Sequence, residues 1–508
     1  MTILLPDWLT RCAENRPAHI ALSDGMTRWS FAELNARVTQ WARRLATVGV
    51  EEGSHVALLA GNSLDFVVIV HALMRLRAVL VPLNTRLTHD ELLWQIRDVE
   101  ATLLLCDAEH MPRAIAIAQQ VQDVQVATFE PSVQDSRDEA EHHVILLSEV
   151  EESETCTLHT LIDLDATQAI MYTSGTTGMP KGAIITYGMQ WWSATSSALN
   201  LGHDPDDCWL ACLSFFHIGG LTMLMKGVIY GISVYVQPRF DAYAVNEAIL
   251  HERVTIISVV SVMLQRMLAD LDARKASYPD TMRCVLLGGG PAPQPLLEAC
   301  ASRNIPVVQT YGMTEACSQA VTLAPDDALR KLGSAGRPLA AVQLRVMNED
   351  SIAQAGEAGE IQLQGPTITP GYYKRPDATQ RAFHDGWFAT GDIGYLDAEG
   401  YLYMLDRRSD LIISGGENVY PAEIEAVLLA HPAVQEAGVT GRADLQWGQV
   451  PVAFVHLYEG QSVSEHELME FVAGRLAKYK RPSRIYIVGA LPRNSSGKLL
   501  RRELMKLL

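Results

Sequence analysis

The run Thr173-Ser174-Gly175-Thr176-Thr177-Gly178-Met179-Pro180-Lys181-Gly182 concentrates phosphate-binding chemistry in ten residues. Its glycines leave the backbone free to turn and to approach a ligand closely. Hydroxyls and backbone N–H groups supply donors, and Lys181 supplies a positive charge, an inventory suited to phosphate oxygens. A solvated surface loop would have a similar composition. The common nucleotide-loop spacing G-x-x-x-x-G-K-[ST] fails, because Pro180 stands where its second glycine would be.

Three more constellations follow. Tyr311-Gly312-Met313-Thr314-Glu315 sets a hydroxyl beside a carboxylate. Next to a phosphate loop that pair suits Mg²⁺, which takes few protein ligands and keeps several waters; a strand-to-helix turn capped by Thr314 is the structural alternative. Trp387-Phe388-Ala389-Thr390-Gly391-Asp392 puts an acid after a glycine turn. It could accept both hydroxyls of a ribose or be an ordinary turn aspartate. Pro492-Arg493-Asn494-Ser495-Ser496-Gly497-Lys498 ends on a lysine that, taken alone, reads as an exposed tail residue.

Strand–helix alternation must position these groups. Ala169-Ile170-Met171 reads as a strand entering the first loop; Ala183-Ile184-Ile185 and a helix over 188–201 leave it. Apolar runs at 254–259, 283–287 and 307–310 read as strands. The last two run into Gly288-Gly289-Gly290-Pro291 and Tyr311-Gly312, and in open α/β sheets ligands sit at such carboxyl ends. Pro293 rules out a dinucleotide fingerprint from Gly288 and Gly290. Nearer the start, Ser30 is expected to cap a helix ending near Gly49, with strands at 55–59 and 101–106. The apolar stretch 66–83 contains His71, Arg75 and Arg77, so it reads as core helix plus strand, too polar for a membrane span.

Taken together and in order, the four constellations resemble the adenylate-forming superfamily of acyl-CoA synthetases, luciferases and peptide-synthetase adenylation domains. The resemblance implies that Thr173, Ser174, Gly175, Thr176, Thr177, Gly178 and Lys181 hold ATP phosphates. Gly288, Gly289, Gly290, Tyr311, Gly312 and Met313 would complete the nucleotide site. It gives Thr314 to the phosphates, Glu315 to Mg²⁺, Asp392 to the ribose and Arg407 to the nucleotide. Lys498 would bridge the substrate carboxylate and the α-phosphate where transition-state charge is greatest. The implied reaction forms an acyl-adenylate and pyrophosphate, after which a thiol, coenzyme A, displaces AMP. A small C-terminal domain rotates between the halves, and the Ser414-Gly415-Gly416-Glu417-Asn418 loop faces the site in the second. The hinge position carries Ser409 where the family usually has Asp or Lys.

The expected fold class is α/β: a large N-terminal domain of α/β sheets with helices, and a small mobile α+β domain. The charged run Asp406-Arg407-Arg408-Ser409-Asp410 marks the boundary, giving 1–408 as the adenylation core and 409–508 as the lid. In the lid, helices at 422–429 and 465–476 and strands at 452–457 and 484–488 are expected.

The resemblance places Ser214, Phe216, His217 and Gly219 in the acyl pocket. Amino-acid-activating relatives carry Asp where His217 stands, which disfavours an amino acid substrate. Lys226 lies within the apolar Leu221-Thr-Met-Leu-Met-Lys-Gly-Val-Ile-Tyr230. A lysine there must snorkel to water or meet an anion, and a second, unreacting carboxylate on the substrate would be that anion. If Lys226 snorkels, Ser214, Ser261 or Arg239 would hold the carboxylate instead. Within the superfamily, 193–200, 287–293, 331–336 and 406–418 are most similar to the branch that activates o-succinylbenzoate, an aromatic dicarboxylate, on its succinyl carboxyl. A general aryl- or medium-chain acyl-CoA synthetase is the rival enzyme; a wholly apolar pocket would favour it. A carrier-loading or nucleotide-binding module is the rival of another class, disfavoured because the catalytic motifs are intact and the chain runs only ten residues past Lys498.

The net charge of −18 argues against nucleic acid or an anionic membrane as the main partner. No signal peptide is recognisable at the start. The eight cysteines form no C-x-x-C pair or zinc spacing, so reduced core residues of a cytoplasmic protein are expected. Oligomeric state, including a homo-oligomer, is left open.

Overall fold

The computed structural model describes residues 2–130, 144–173, 179–289, 294–331, 333–348, 351–406, 412–419, 421–492, 499 and 501–508. Strands His55–Leu59, Val79–Pro82, Leu103–Cys106 and Gln125–Thr128 run parallel. Thr167–Thr173 joins this sheet beside Val79–Pro82, and Lys181–Thr186 pairs antiparallel with it. In a second sheet Cys208–Ala211, Ser233–Val236, Ile256–Val260, Cys284–Gly288 and Val307–Met313 run parallel. Near-continuous apolar runs such as Leu103-Leu-Leu-Cys106 suit strands covered on both faces, and all four of these residues are buried.

One buried cluster joins the two sheets. It draws Val56, Leu58, Leu80 and Ala169 from the first sheet and Trp209, Ala211, Val234 and Ile256 from the second. Helices Phe31–Thr47, Leu64–Leu76 and Ile218–Tyr230 contribute to the same cluster. Ser30 caps the first of these with a capping box to Glu33, and Gly49 just beyond it takes φ +91°. Leu64–Leu76 is buried almost all round, as a core helix must be. Its buried Arg75 donates to Asp7 at 3.2 Å and Thr39 at 2.6 Å, which offsets its desolvation. Among the described residues no helix is long and apolar enough to cross a membrane.

The strand–helix alternation expected to position all four constellations stops before the third. After Val307–Met313, a 3₁₀ turn at Thr314–Ala316 leads to Cys317 and Ser318 at φ 52° and 81°. These left-handed residues reverse the chain, and Ser318–Leu323 returns antiparallel beside the strand it left. Ser334–Pro338, Gln343–Asn348, Gly359–Gln364, Trp387–Leu396 and Leu402–Asp406 continue in antiparallel pairs. Most of these connections are too short for a helical crossover, so parallel pairing is not open to them.

From Ile412 onward the chain builds its own sheet and core. Strands Ile412–Ser414, Glu417–Val419, Val434–Asp444, Gly448–Leu457 and Ile485–Ile487 pack with helices Pro421–Leu429 and Glu465–Ala473 around Ile424, Leu428, Val439, Val455 and Leu468. Val434–Asp444 is a strand that was not expected, because Gly438 and Gly441 interrupt the strand pattern. The boundary at 408/409 lies outside the described residues.

Candidate active site

Thr173 ends one strand and Lys181 begins the next, and the two are directly opposed across the hairpin. Lys181 is therefore a strand residue rather than a loop residue. Ser174, Gly175, Thr176, Thr177 and Gly178, the loop between them, lie outside the described residues. Glu315 comes to the hairpin from the 3₁₀ turn: its Oε1 accepts from Thr173 Oγ1 at 3.4 Å and from Tyr372 Oη at 3.0 Å. The Glu315 carbonyl accepts from Thr369 N at 2.7 Å. Lys181 Nζ stands 5.3 Å from the Tyr372 ring centroid. Burial, with Arg381 nearby, pulls the Lys181 ammonium below the usual lysine range, and Glu315 opposes the shift. Thr369 and Tyr372 were not singled out in the sequence, because nothing local marks them. The mouth of the hairpin thus holds one ammonium, hydroxyls and one carboxylate, a donor set that fits phosphates and the single carboxylate ligand Mg²⁺ commonly takes. Among the described residues no cluster of three His, Cys, Asp or Glu side chains could hold a metal on its own.

Three parallel strands end side by side here. Val260 is in register with Gly288, and Leu287 with Gln309. Gly289 follows at φ +79°, and a Cβ there would lie 3.0 Å from Val260 Cγ1. Gly290 lies outside the described residues. Tyr311, Gly312 and Met313 belong to the strand rather than to a loop, and Thr314 starts the 3₁₀ turn without capping it. A Cβ on Gly312 would fall 1.4 Å from the Ser318 carbonyl oxygen, so only glycine lets the two strands approach. Asp392 was expected on a turn; it lies inside Trp387–Leu396, buried, accepting from Tyr311 Oη at 2.7 Å. Gly391 beside it has φ +74° and turns the strand locally.

Where the acyl pocket is expected, Asn62 holds the Leu213-to-His217 loop: its Oδ1 accepts from Phe215 N at 2.9 Å and its Nδ2 donates to the Leu213 carbonyl at 2.9 Å. Ser214 lies within this loop, Phe216 is buried against the His217 ring, and Gly219 follows at the start of Ile218–Tyr230. Ser261 opens the helix Ser261–Arg274 directly after Val260. Lys226 does not snorkel: it is 2 % exposed. Its Nζ donates to Gln319 Oε1 at 2.6 Å and Ser197 Oγ at 3.2 Å, 5.0 Å from the Trp209 ring centroid. No carboxylate among the described residues lies within ion-pair distance of it. Burial pulls its ammonium down to about 8. Gln319 is paired across the sheet with Gly312, and its buried Nε2 has no hydrogen-bond partner.

The C-terminal unit meets this site through its first hairpin. Ser414 is buried, Gly415 and Gly416 turn at φ 58° and 84°, and a Cβ on Gly416 would lie 3.5 Å from Val260 Cγ2. Glu417 reaches across the boundary: its Oε2 accepts from His217 Nε2 at 2.9 Å and its Oε1 from Arg86. Burial raises the Glu417 carboxyl, but His217, Arg86 and Lys480 outweigh it and hold it below the usual carboxylate range. Arg86, like Asn62, was missed, because its role depends on a fold-level neighbour. Arg407, Ser409 and Lys498 lie outside the described residues.

The chain matches the family model described as AMP-binding enzyme over residues 9–373, and the model described as AMP-binding enzyme C-terminal domain over 423–498. It is 53% identical over 504 residues to the 2-succinylbenzoate–CoA ligase of Geobacillus kaustophilus, covering 99% of this chain and 98% of that one. Among solved structures it is similar to o-succinylbenzoate CoA synthetase of Bacillus subtilis. A double mutant of that enzyme bound to the product analogue OSB-NCoA superposes with TM-score 0.90 at 43% identity, covering 99% of both chains. The same enzyme with the acyl-adenylate OSB-AMP gives 0.73 at 43% identity, covering 99% of this chain and 98% of that one.

Proposed function

The chain belongs to the AMP-binding enzyme family, and we propose that it ligates o-succinylbenzoate to coenzyme A through an acyl-adenylate, with AMP and pyrophosphate as the other products. Full-length similarity to the 2-succinylbenzoate–CoA ligases supports the substrate. The observation that carries it within this chain is Lys226, a buried ammonium that has no carboxylate partner among the described residues and stands beside Gln319, whose Nε2 has no hydrogen-bond partner among them. A substrate whose ring carboxylate survives the reaction supplies the missing anion. The enzyme would serve menaquinone biosynthesis in the cytoplasm.

In the first half-reaction the succinyl carboxylate attacks the α-phosphorus of ATP and pyrophosphate leaves. Residues 173–178 and Lys181 would hold the phosphates, Thr314 would add a hydroxyl, and Glu315 would hold Mg²⁺, which would neutralise charge on the phosphates. Gly288 to Gly290 and Tyr311 to Met313 shape the nucleotide site, where Asp392, oriented by Tyr311, accepts the ribose hydroxyls. Arg407 and Lys498 come from the boundary and the lid. Ser214, Phe216, Gly219, Ser261 and Gly289 enclose the acyl group. In the second half-reaction the thiol of coenzyme A attacks the acyl carbonyl and AMP leaves, with Ser414, Gly415 and Gly416 bordering the thiol path and His217 at its end.

The domains are 1–408 and 409–508, with Ser409 as pivot. At equal sequence identity, the higher TM-score with the coenzyme A product analogue than with the acyl-adenylate supports the thioester-forming arrangement for this structure. The test is a panel of carboxylic acids offered with ATP and coenzyme A. Selective turnover of o-succinylbenzoate is expected; equal turnover of plain aryl or medium-chain acids would overturn the substrate, and ATP binding without thioester would overturn the enzyme class.

A further inference from the structure

Outside every motif considered so far, residues 84–91 make a second seam with the C-terminal unit. Asn84 Nδ2 donates to Tyr479 Oη at 3.1 Å, and Thr88 Oγ1 lies 3.3 Å from the Arg475 carbonyl oxygen. At the centre, Lys480 Nζ donates to Glu91 Oε1 at 2.8 Å and to Glu423 Oε1 at 2.7 Å. The three side chains are 5%, 12% and 7% exposed for Lys480, Glu91 and Glu423. Among the described residues Glu423 Oε2 is buried without a partner, so one ammonium serves two carboxylates.

We infer that Glu91 and Lys480 are positioning residues that clamp the C-terminal domain in the thioester-forming arrangement. The inference rests on the proposed two-arrangement cycle. Lys480 and Glu423 both belong to the mobile unit and travel together, whereas Glu91 belongs to the large domain. Rotation of the lid therefore leaves Lys480 paired with Glu423 and releases Glu91 alone to water. The Glu91–Lys480 contact belongs to one arrangement only, and only such a differential contact can bias the equilibrium. A buried pair of this kind carries weight when its geometry is preset. Here it is: Glu91 Oε2 already accepts from Thr88 N at 2.8 Å and Thr88 Oγ1 at 2.9 Å in the capping box of His89–Asp98, so the carboxylate waits in place. The same segment supplies Arg86 to Glu417, which couples the clamp to the loop facing His217.

The test uses Glu91→Gln in the full-length protein. Glutamine can keep the capping box while removing the charge opposite Lys480. Two half-reactions are measured separately: o-succinylbenzoate-dependent ATP–pyrophosphate exchange, and single-turnover thioester formation from isolated acyl-adenylate with coenzyme A. Thioester formation should slow by roughly tenfold, with exchange maintained or raised, because weakening the contact moves population from the thioester-forming arrangement to the adenylate-forming one. Parallel loss in both halves would reduce Glu91 to a general structural role, and an unchanged thioester step would remove the clamp; either overturns the inference. Absence of thioester formation in the unmodified protein, with exchange intact, would instead strike the proposed function.

Discussion

His217 Nε2 lies 2.9 Å from Glu417 Oε2, although one belongs to the Leu213-to-His217 loop of the large domain and the other to the first hairpin of the C-terminal unit. The contact crosses the domain boundary, so it exists only while that hairpin faces the site. Glu417→Gln removes the charge and leaves the size. Thioester formation from supplied acyl-adenylate should fall by about tenfold, the scale of one charge-assisted hydrogen bond, while pyrophosphate exchange persists. Single-turnover measurement of each half checks this, and an unaltered thioester rate would sink it.

Lys498→Ala should have the reverse profile. In the proposed role this one cation serves phosphoryl chemistry, so its loss should affect acyl-adenylate formation and not thioester formation. Losing a preorganised charge at such a centre costs roughly 10²–10³ in rate. Pyrophosphate exchange at near wild-type rate in the variant would remove Lys498 from this role.

Asp392→Ala should raise KM for ATP. The carboxylate, oriented by the 2.7 Å bond from Tyr311, would lose two bonds to the ribose. Each is worth about 1.5–3 kcal/mol. Deoxyadenosine triphosphates should be poor substrates for the native enzyme and less discriminated by the variant. Equal discrimination by both proteins would place the ribose elsewhere.

Lys226→Met keeps the stem and removes the buried charge. Use of o-succinylbenzoate should weaken by about 2–4 kcal/mol, the penalty for leaving one partner of a buried charge pair alone. Use of 4-phenyl-4-oxobutanoate, which lacks the ring carboxylate, should change little. A double cycle of variant against substrate gives the coupling; zero coupling would hand the ring carboxylate to Ser214, Ser261 or Arg239.

The same lysine predicts a pH dependence. Burial lowers its ammonium to about 8, so the free enzyme loses the proton as pH rises through that value. The dianionic substrate needs the protonated form. KM for o-succinylbenzoate should therefore be flat below about pH 8 and rise above it, by up to about tenfold per pH unit. Lys226→Met should lack this rise, and an identical rise in both proteins would assign it to another group.

The sequence alone determined the hydroxyl, glycine and lysine inventory of 173–182, the order of the four constellations and the strands that lead into the first two. Each rests on neighbours in the chain: an apolar run makes a buried strand, and Ser30 caps its helix through Glu33. The tertiary structure decided what depends on distant neighbours. Left-handed Cys317 and Ser318 turned the alternating fold into an antiparallel meander and set Gln319 opposite Gly312. That return strand gave Lys226 a neutral partner in place of solvent. Glu315 found Tyr372, Glu417 found His217 and Arg86, and Lys480 found Glu91. None of these pairings has a periodicity or a spacing to announce it, because a hydrogen bond between residues far apart in sequence is fixed only when sheets and domains have packed.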